Sequence, residues 1–262
     1  MIPDKHSLLL FKVGEYRWME RIKNGHLSFG TLGSFIQIAK MKGNEEQGDA
    51  DEGVFARLRT GDAKIKQMQK ELGDDLEIIA DGNFVKLRRK SSYLIPTFCF
   101  YSYQGQDLVN DGQKKIGLQQ ISHYFDNRIF SGFANDTVRN TLASDRTYSM
   151  LILHVEPFKF KVGSALALNK IDNAIIRHVN YKEFEKEEFF IEPTDKREEL
   201  FYKFPKYAYQ HEARICLMNN PLHSINDRFA LYIGPWADGR DGALVRNQLY
   251  FKMNAEIVEV TP

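Results

Sequence analysis

Apolar residues run together in SLLLFKV (7–13), which predicts a short buried strand. In EYRWMERIKNG (15–25), Tyr16, Met19 and Ile22 recur at helical spacing and Trp18 widens the apolar face. That segment is expected to be a helix, stopped by Gly25 in a left-handed conformation. HLSFGTL (26–32) alternates Leu27 and Phe29 with polar neighbours and reads as a second strand, and SFIQIAKM (34–41) as a short helix. DAKIKQMQKELG (62–73) predicts a helix with an Asp cap and a Gly stop. LEIIADGNFVKLRRK (76–90) predicts a hairpin with Asp81 and Gly82 at its turn. YLIPTFCFYSY (93–103) is a buried strand region interrupted by Pro96, IGLQQISHYFDNRIF (116–130) a helix, and YSMLILHV (148–155) the most apolar strand. A charged helix is expected near EFEKEEFF, and HEARICLM, RFALYIG and NAEIVEV are the last strands. The pattern is α+β, read as a single domain over residues 1–262 with an inserted helix-hairpin at 60–90. Helices do not alternate regularly with strands, which argues against a doubly wound parallel sheet.

Composition narrows the picture. Aromatic residues make up 13% of the chain, which favours strand-rich packing. The 36 Lys and Arg against 35 Asp and Glu give a net charge of +1, so no global field draws the chain to nucleic acid or acidic membranes. Cys99 and Cys216 both stand in apolar runs and are expected to be buried free thiols, as suits a reducing cytoplasm. The opening apolar run is too short for a signal peptide, and no stretch approaches the ~20 apolar residues of a membrane span. A soluble cytoplasmic protein is expected. The chain carries no Walker loop, Rossmann fingerprint, zinc-spaced cysteine pairs, His-Glu-x-x-His helix or G-x-S-x-G elbow.

Four constellations remain. The opening strand–helix–strand unit puts Lys12 near the end of one strand and Ser28 and Thr31 on the next, although a solvated Lys12 is the plainer reading. The loop 42–53 packs Glu45, Glu46, Asp49, Asp51 and Glu52 between glycines. Its oxygens suit a divalent ion, but EF-hand spacing is not met, so a solvated loop or a substrate cover is expected. In VKLRRK, Lys86, Arg88 and Lys90 share one strand face, a weak basic patch suited to phosphates or simply to water. In YQHEARICL, Gln210, Glu212 and Arg214 face one way and Ala213, Ile215 and Leu217 the other, toward a core. A carboxylate at Glu212 could bind a sugar hydroxyl or steady an oxocarbenium cation; equally, it could pair with Arg214 or a neighbouring lysine.

The start LLLFKVGEYRWMERIKNGHLSFGTLGSFIQ with GDADEG, the central TFCFYSY, and Glu212 with Arg214 behind LFYKFPKYAYQ resemble a broad bacterial and phage family of domains of unknown function. More loosely, the same features resemble the ADP-ribosyltransferase superfamily. That resemblance implies a mixed, mainly antiparallel sheet core with helical insertions and NAD as the substrate. It also implies a site in which Lys12 steadies phosphates or ribose and Glu212 of a Gln210-x-Glu212 pair stabilises the cationic transition state. Ser102, with aromatics such as Tyr16 or Tyr101, would frame the nicotinamide, and Ser28 would flank it. The chain departs from that superfamily at Lys12, where Arg or His is usual. The expectation is an NAD-dependent ADP-ribosyltransferase or NAD glycohydrolase with a protein or nucleic-acid acceptor, suited to a toxin or phage-defence effector. The alternative is a non-catalytic nucleic-acid- or protein-binding module of phage or defence origin.

Overall fold

The opening apolar run forms β1 (Ser7–Glu15), followed by α1 (Tyr16–Lys23), β2 (His26–Thr31) and α2 (Leu32–Lys40). The computed structural model describes residues 7–41, 48–104, 117–124, 148–182, 188–237, 241–246 and 250–257. β3 (Val54–Arg59), α3 (Ala63–Leu72), β4 (Leu76–Asp81), β5 (Phe84–Arg89), β6 (Pro96–Gln104) and β7 (Gly117–Tyr124) come next. β8 (Tyr148–His154) runs directly into α4 (Val155–Leu168), followed by β9 (Ala174–His178) and the two-residue strands β10 (Asn180–Tyr181), β11 (Phe189–Phe190) and β12 (Tyr202–Lys203). β13 (Glu212–Leu217), β14 (Phe229–Tyr232), β15 (Gly242–Arg246) and β16 (Tyr250–Ile257) complete the order.

The architecture is α+β with mainly antiparallel sheets. An eight-stranded sheet runs β14-β2-β6-β1-β8-β15, with β13 on β6 and β9 on β13. A four-stranded sheet, β11-β3-β5-β4, is built largely from the 54–89 segment. β7 and β16 pair with each other, and β10 and β12 form a parallel pair. One face of the large sheet carries Leu10, Phe98, Phe100, Leu151, Leu153, Ala213 and Ile215, which pack with Phe158 and Val162 of α4 and Met19 and Ile22 of α1. Ala213, Ile215 and Leu217 are therefore core residues, as the alternation predicted.

β6 is shared. Thr97 pairs with Gly30 of β2 on one side and Cys216 of β13 on the other, while Tyr101 pairs with Phe11 of β1 and Glu212 of β13. β1 and β2 thus lie on the same edge of β6 and part company between Thr97 and Tyr101. The sheet forks there. Lys12 Nζ donates to the Cys99 carbonyl at the fork and lies over the Phe98 ring, 4.9 Å from its centroid.

Local expectations are largely met. Thr31 caps α2, its hydroxyl accepting from Ser34 N at 3.0 Å, and Asp62 caps α3 by accepting from Lys64 N at 2.8 Å. Gly25 takes φ +90° after α1, and a Cβ there would stand 2.4 Å from the Gly234 backbone.

Several elements differ. Residues 117–124 form strand β7 rather than a helix, because Gly117–Tyr124 finds β16 as a partner over its full length and pairing overrides local propensity; residues 116 and 125–130 of the expected helix lie outside the described residues. The hairpin turns at Gly82 and Asn83, one position later than expected, since Asp81 still pairs with Phe84. Pro96 opens β6 rather than interrupting a strand, consistent with its missing N–H. Of the charged segment near 183–190, residues 183–187 lie outside the described residues, and Phe189–Phe190 pairs with β3 as a strand. Trp18 is 45% exposed and does not join the apolar face of α1. α4 was not anticipated.

Candidate functional site

β13 opens one residue after a left-handed His211 that ends the 3-10 turn Pro205–Gln210. Gln210 is therefore on the turn and not on an extended strand. It still reaches the same place, because Lys203 Nζ donates to Gln210 Oε1 at 3.0 Å and to Glu212 Oε2 at 2.6 Å. Glu212 Oε1 accepts from Arg214 Nε at 2.6 Å, and the Glu212 backbone N–H donates to the Tyr181 hydroxyl at 2.8 Å. Every residue of β13 is buried, so the face carrying Glu212 and Arg214 is not wet.

What covers it is the acidic loop. Arg214 donates from both terminal nitrogens to Glu52, at 2.7 and 2.8 Å, and also to the Leu200 carbonyl at 2.6 Å. Lys203 stands 3.4 Å from Glu52. Glu52 and Arg214 are 1% and 0% exposed, so the pair is fully desolvated. The loop is pinned on both sides. Gly48 lies so close to α2 that a Cβ would meet the Phe35 carbonyl oxygen at 2.3 Å. On the other side, Arg88 donates to the Ala50 carbonyl at 2.8 Å and Lys86 pairs with Asp51 at 2.9 Å. The expected solvated loop is thus buried from Gly48 to Gly53 apart from Ala50 and Asp51, because charged residues of β5 and β13 neutralise it. Glu45 and Glu46 lie outside the described residues.

The same contacts remove the expected basic patch. Lys86 is spent on Asp51, Arg88 is buried against Ala50, Tyr93 and Glu77, and Lys90 sits in the following 3-10 turn, exposed. The face that reads as wet and basic in the sequence is the wall on which the acidic loop rests.

Burial and ion pairing set the charge states. Burial works against ionising Glu212, but Arg214 and Lys203 outweigh it and hold the carboxyl well below its usual range. Burial likewise opposes the charge on Lys203, and Glu212 and Glu52 outweigh it, raising its pKa. Asp49 goes the other way: burial, reinforced by Glu52 and only partly opposed by Lys203, raises it to about 6. Tyr101, directly opposite Glu212 in register, has its hydroxyl pKa raised by burial and then by Glu212.

Glu212, Gln210 and Tyr101 are therefore together, joined by Lys203, Arg214, Glu52, Asp49, Tyr181 and Tyr207. Lys12 stands at the fork of the sheet; burial lowers its pKa, against the opposing fields of Cys99 and Glu212. Ser102 is not in this group. It alternates with Tyr101 and faces the α4 side, in a notch of about 20 Å³ with Leu10, Phe100, Ala213, Val155 and Phe158, room for about one water. Ser28 is exposed opposite Ala230 on β14, and Tyr16 donates to Glu20 on α1 at 3.0 Å. Neither belongs to the Glu212 centre. Both cysteines are free; burial pushes Cys216 up to about 12 and Cys99 higher, so neither is a nucleophile at neutral pH. Among the described residues, no three His, Cys, Asp or Glu side chains group as metal ligands would, and no helix is long and apolar enough to cross a membrane.

Sequence reasoning treated the acidic loop and the Gln-x-Glu segment separately and missed that Glu52 and Arg214 join them; it allowed Glu212 to pair with Arg214 or a neighbouring lysine, which is Lys203, but did not single out Lys203, Tyr181 or Tyr207. The available signal was charge complementarity between an acidic loop and a strand arginine flanked by apolar residues. No protein-family model, curated protein or solved structure matches the chain.

Proposed function

We propose that the chain is an ADP-ribosyltransferase-like enzyme that cleaves the nicotinamide–ribose bond of NAD, with the Glu52–Lys203–Glu212–Arg214 centre as its site. ADP-ribose would pass to a protein or nucleic-acid acceptor or to water, in the cytoplasm, as a toxin or phage-defence effector does. The same reading keeps the likeness to the bacterial and phage family of unknown function. The observation that carries it is the meeting of the acidic loop with the Gln-x-Glu segment in one buried centre lined by tyrosines, where several ionisable groups are displaced from their usual pKa values. Glu212 is held ionised by Arg214 and Lys203 and supplies a fixed negative charge for a ribosyl cation. A ribose hydroxyl donating to Glu212 Oε2 takes the position that Lys203 Nζ holds, so Lys203 is the group that yields to substrate. Tyr101 and Tyr207 would flank the nicotinamide once Lys203, which lies over the Tyr207 ring at 5.2 Å, has moved aside. NAD brings its own leaving group, so positioning and electrostatics are the protein's task.

A second reading is favoured by one specific fact. Both oxygens of Glu212 are already bonded and the residue is 6% exposed, as in a structural clasp of a non-catalytic binding module. Nicotinamide release from NAD by purified protein separates the two. The expected result is release by the wild type and a fall of about 10²–10³-fold in Glu212→Gln, at unchanged circular dichroism. No release from the wild type, with or without cell extract as acceptor, leaves the clasp.

A further inference from the structure

Three carboxylates meet in the centre, and they are not equivalent. Glu52 gives both oxygens to Arg214, and Glu212 gives one to Arg214 and one to Lys203. Asp49 gives Oδ1 to the Asp51 backbone N–H at 2.9 Å, and no described residue donates to its Oδ2. Asp49 is 3% exposed and has no ion-pair partner of its own among the described residues. The groups that face it are Glu52, Asp51, Lys203 and the hydroxyl of Tyr207. A nearly buried carboxylate with one unused oxygen, beside a fully bonded charge quartet, is placed to exchange a proton.

We propose that Asp49 is the catalytic base of the ribosyl transfer, taking the proton of the incoming nucleophile on Oδ2. The inference rests on the function proposed above and deepens it. In the step, the C1′–N bond breaks and its electron pair leaves with neutral nicotinamide. A lone pair of the acceptor oxygen, from water in the simplest case, forms the C1′–O bond, and the acceptor's proton moves to Asp49. Glu212 stays ionised throughout. A pKa raised to about 6 leaves Asp49 ionised at pH 7 while keeping it a better proton acceptor than an ordinary aspartate. Burial opposes its charge, and proton uptake relieves that opposition. The carboxylates of Glu52 and Asp51 add to the effect, and Lys203 moderates it.

The test is the pH profile of nicotinamide release with water as the acceptor, for wild type, Asp49→Asn and Asp49→Glu, each first shown to melt cooperatively. The wild type should lose activity below about pH 6. Asp49→Asn should fall about 10²–10⁴-fold and lose that acid limb, with Asp49→Glu recovering part of both. Azide, a nucleophile with no proton to give up, should restore turnover to Asp49→Asn and yield the ribosyl azide. A wild-type rate and profile in Asp49→Asn, or a loss that azide does not restore, overturns the assignment while leaving the enzyme reading standing. A wild type that releases no nicotinamide overturns both.

Discussion

Arg214 is the residue on which the centre turns. It is wholly buried and bonds two carboxylates and a carbonyl, so its removal strands Glu52 and Glu212 without their main cation. Arg214→Leu is expected to destabilise the fold by about 3–5 kcal/mol, read from chemical denaturation. Replacing Glu52 and Glu212 by Gln in the same chain should recover a large part of that loss, since the uncompensated charges would be gone. Asp49 makes a second, opposite prediction. Its folded-state pKa is raised, so the fold binds that proton more tightly than the unfolded chain does. Its contribution is fully present below about pH 4 and is lost as pH rises through about 6. The difference from an ordinary aspartate corresponds to roughly 3 kcal/mol. Asp49→Asn should therefore be the more stable protein at pH 7, with the difference from wild type shrinking as pH falls from 6 to 4. Glu212 does not mask this, because both proteins carry it and its own contribution, lost progressively below about pH 5, cancels in the comparison. Equal stability of the two proteins across pH 4–7 would remove the raised pKa.

Among the elements, the joint between α1 and β2 is closely packed. Gly25 has φ +90° and touches the Gly234 backbone, its carbonyl accepts from Ile233 N at 2.8 Å, and Trp236 donates through Nε1 to the Ile22 carbonyl at 2.9 Å. Gly25→Ala is expected to lower stability by about 1–3 kcal/mol, visible as a reduced melting temperature, because both the left-handed backbone and the close approach forbid a Cβ. This position was legible in the sequence as a helix stop, and so were β1, α1, β2, α2, α3, the hairpin and β13. Each carries its own periodicity, cap or glycine. β7 was not legible, because its partner β16 lies more than a hundred residues away and a single strand's pattern does not announce its mate. α4 was hidden because Phe158, Phe160 and Val162 alternate with Lys159 and Lys161 as they would on a strand, and Pro157 stands in its first turn. Gln210 is placed beside Glu212 by local spacing and Tyr101 by the resemblance, and both are there. Ser102 was assigned to it as well, but strand alternation turns its side chain to the opposite face.

At the scale of the whole molecule, the described residues join the two larger sheets through charge, with separate apolar clusters on either side. The apolar cluster of the four-stranded sheet, around Phe55, Leu58, Met68 and Leu87, is distinct from the one under α4. Glu52, one residue before Gly53 leads into β3, reaches Arg214 in the middle of the large sheet. Both thiols lie within that large sheet and are buried or half-buried, with raised pKa values. Native protein should therefore react with a thiol reagent at least a hundred-fold more slowly than denatured protein at pH 8; fast labelling of either cysteine in the native state would show that the sheet opens locally.

The pinned acidic loop has a consequence for how such a chain could change over generations. The hairpin of β4 and β5 holds Ala50 and Asp51 in place through Arg88 and Lys86, and the loop in turn holds Arg214 through Glu52. A lineage that shed the hairpin would inherit a loosened loop and a buried arginine with half its counter-charge adrift. Substitutions at 52, 86, 88 and 214 should therefore travel together through descent, and a shortened descendant should carry an uncharged residue where Arg214 stands here.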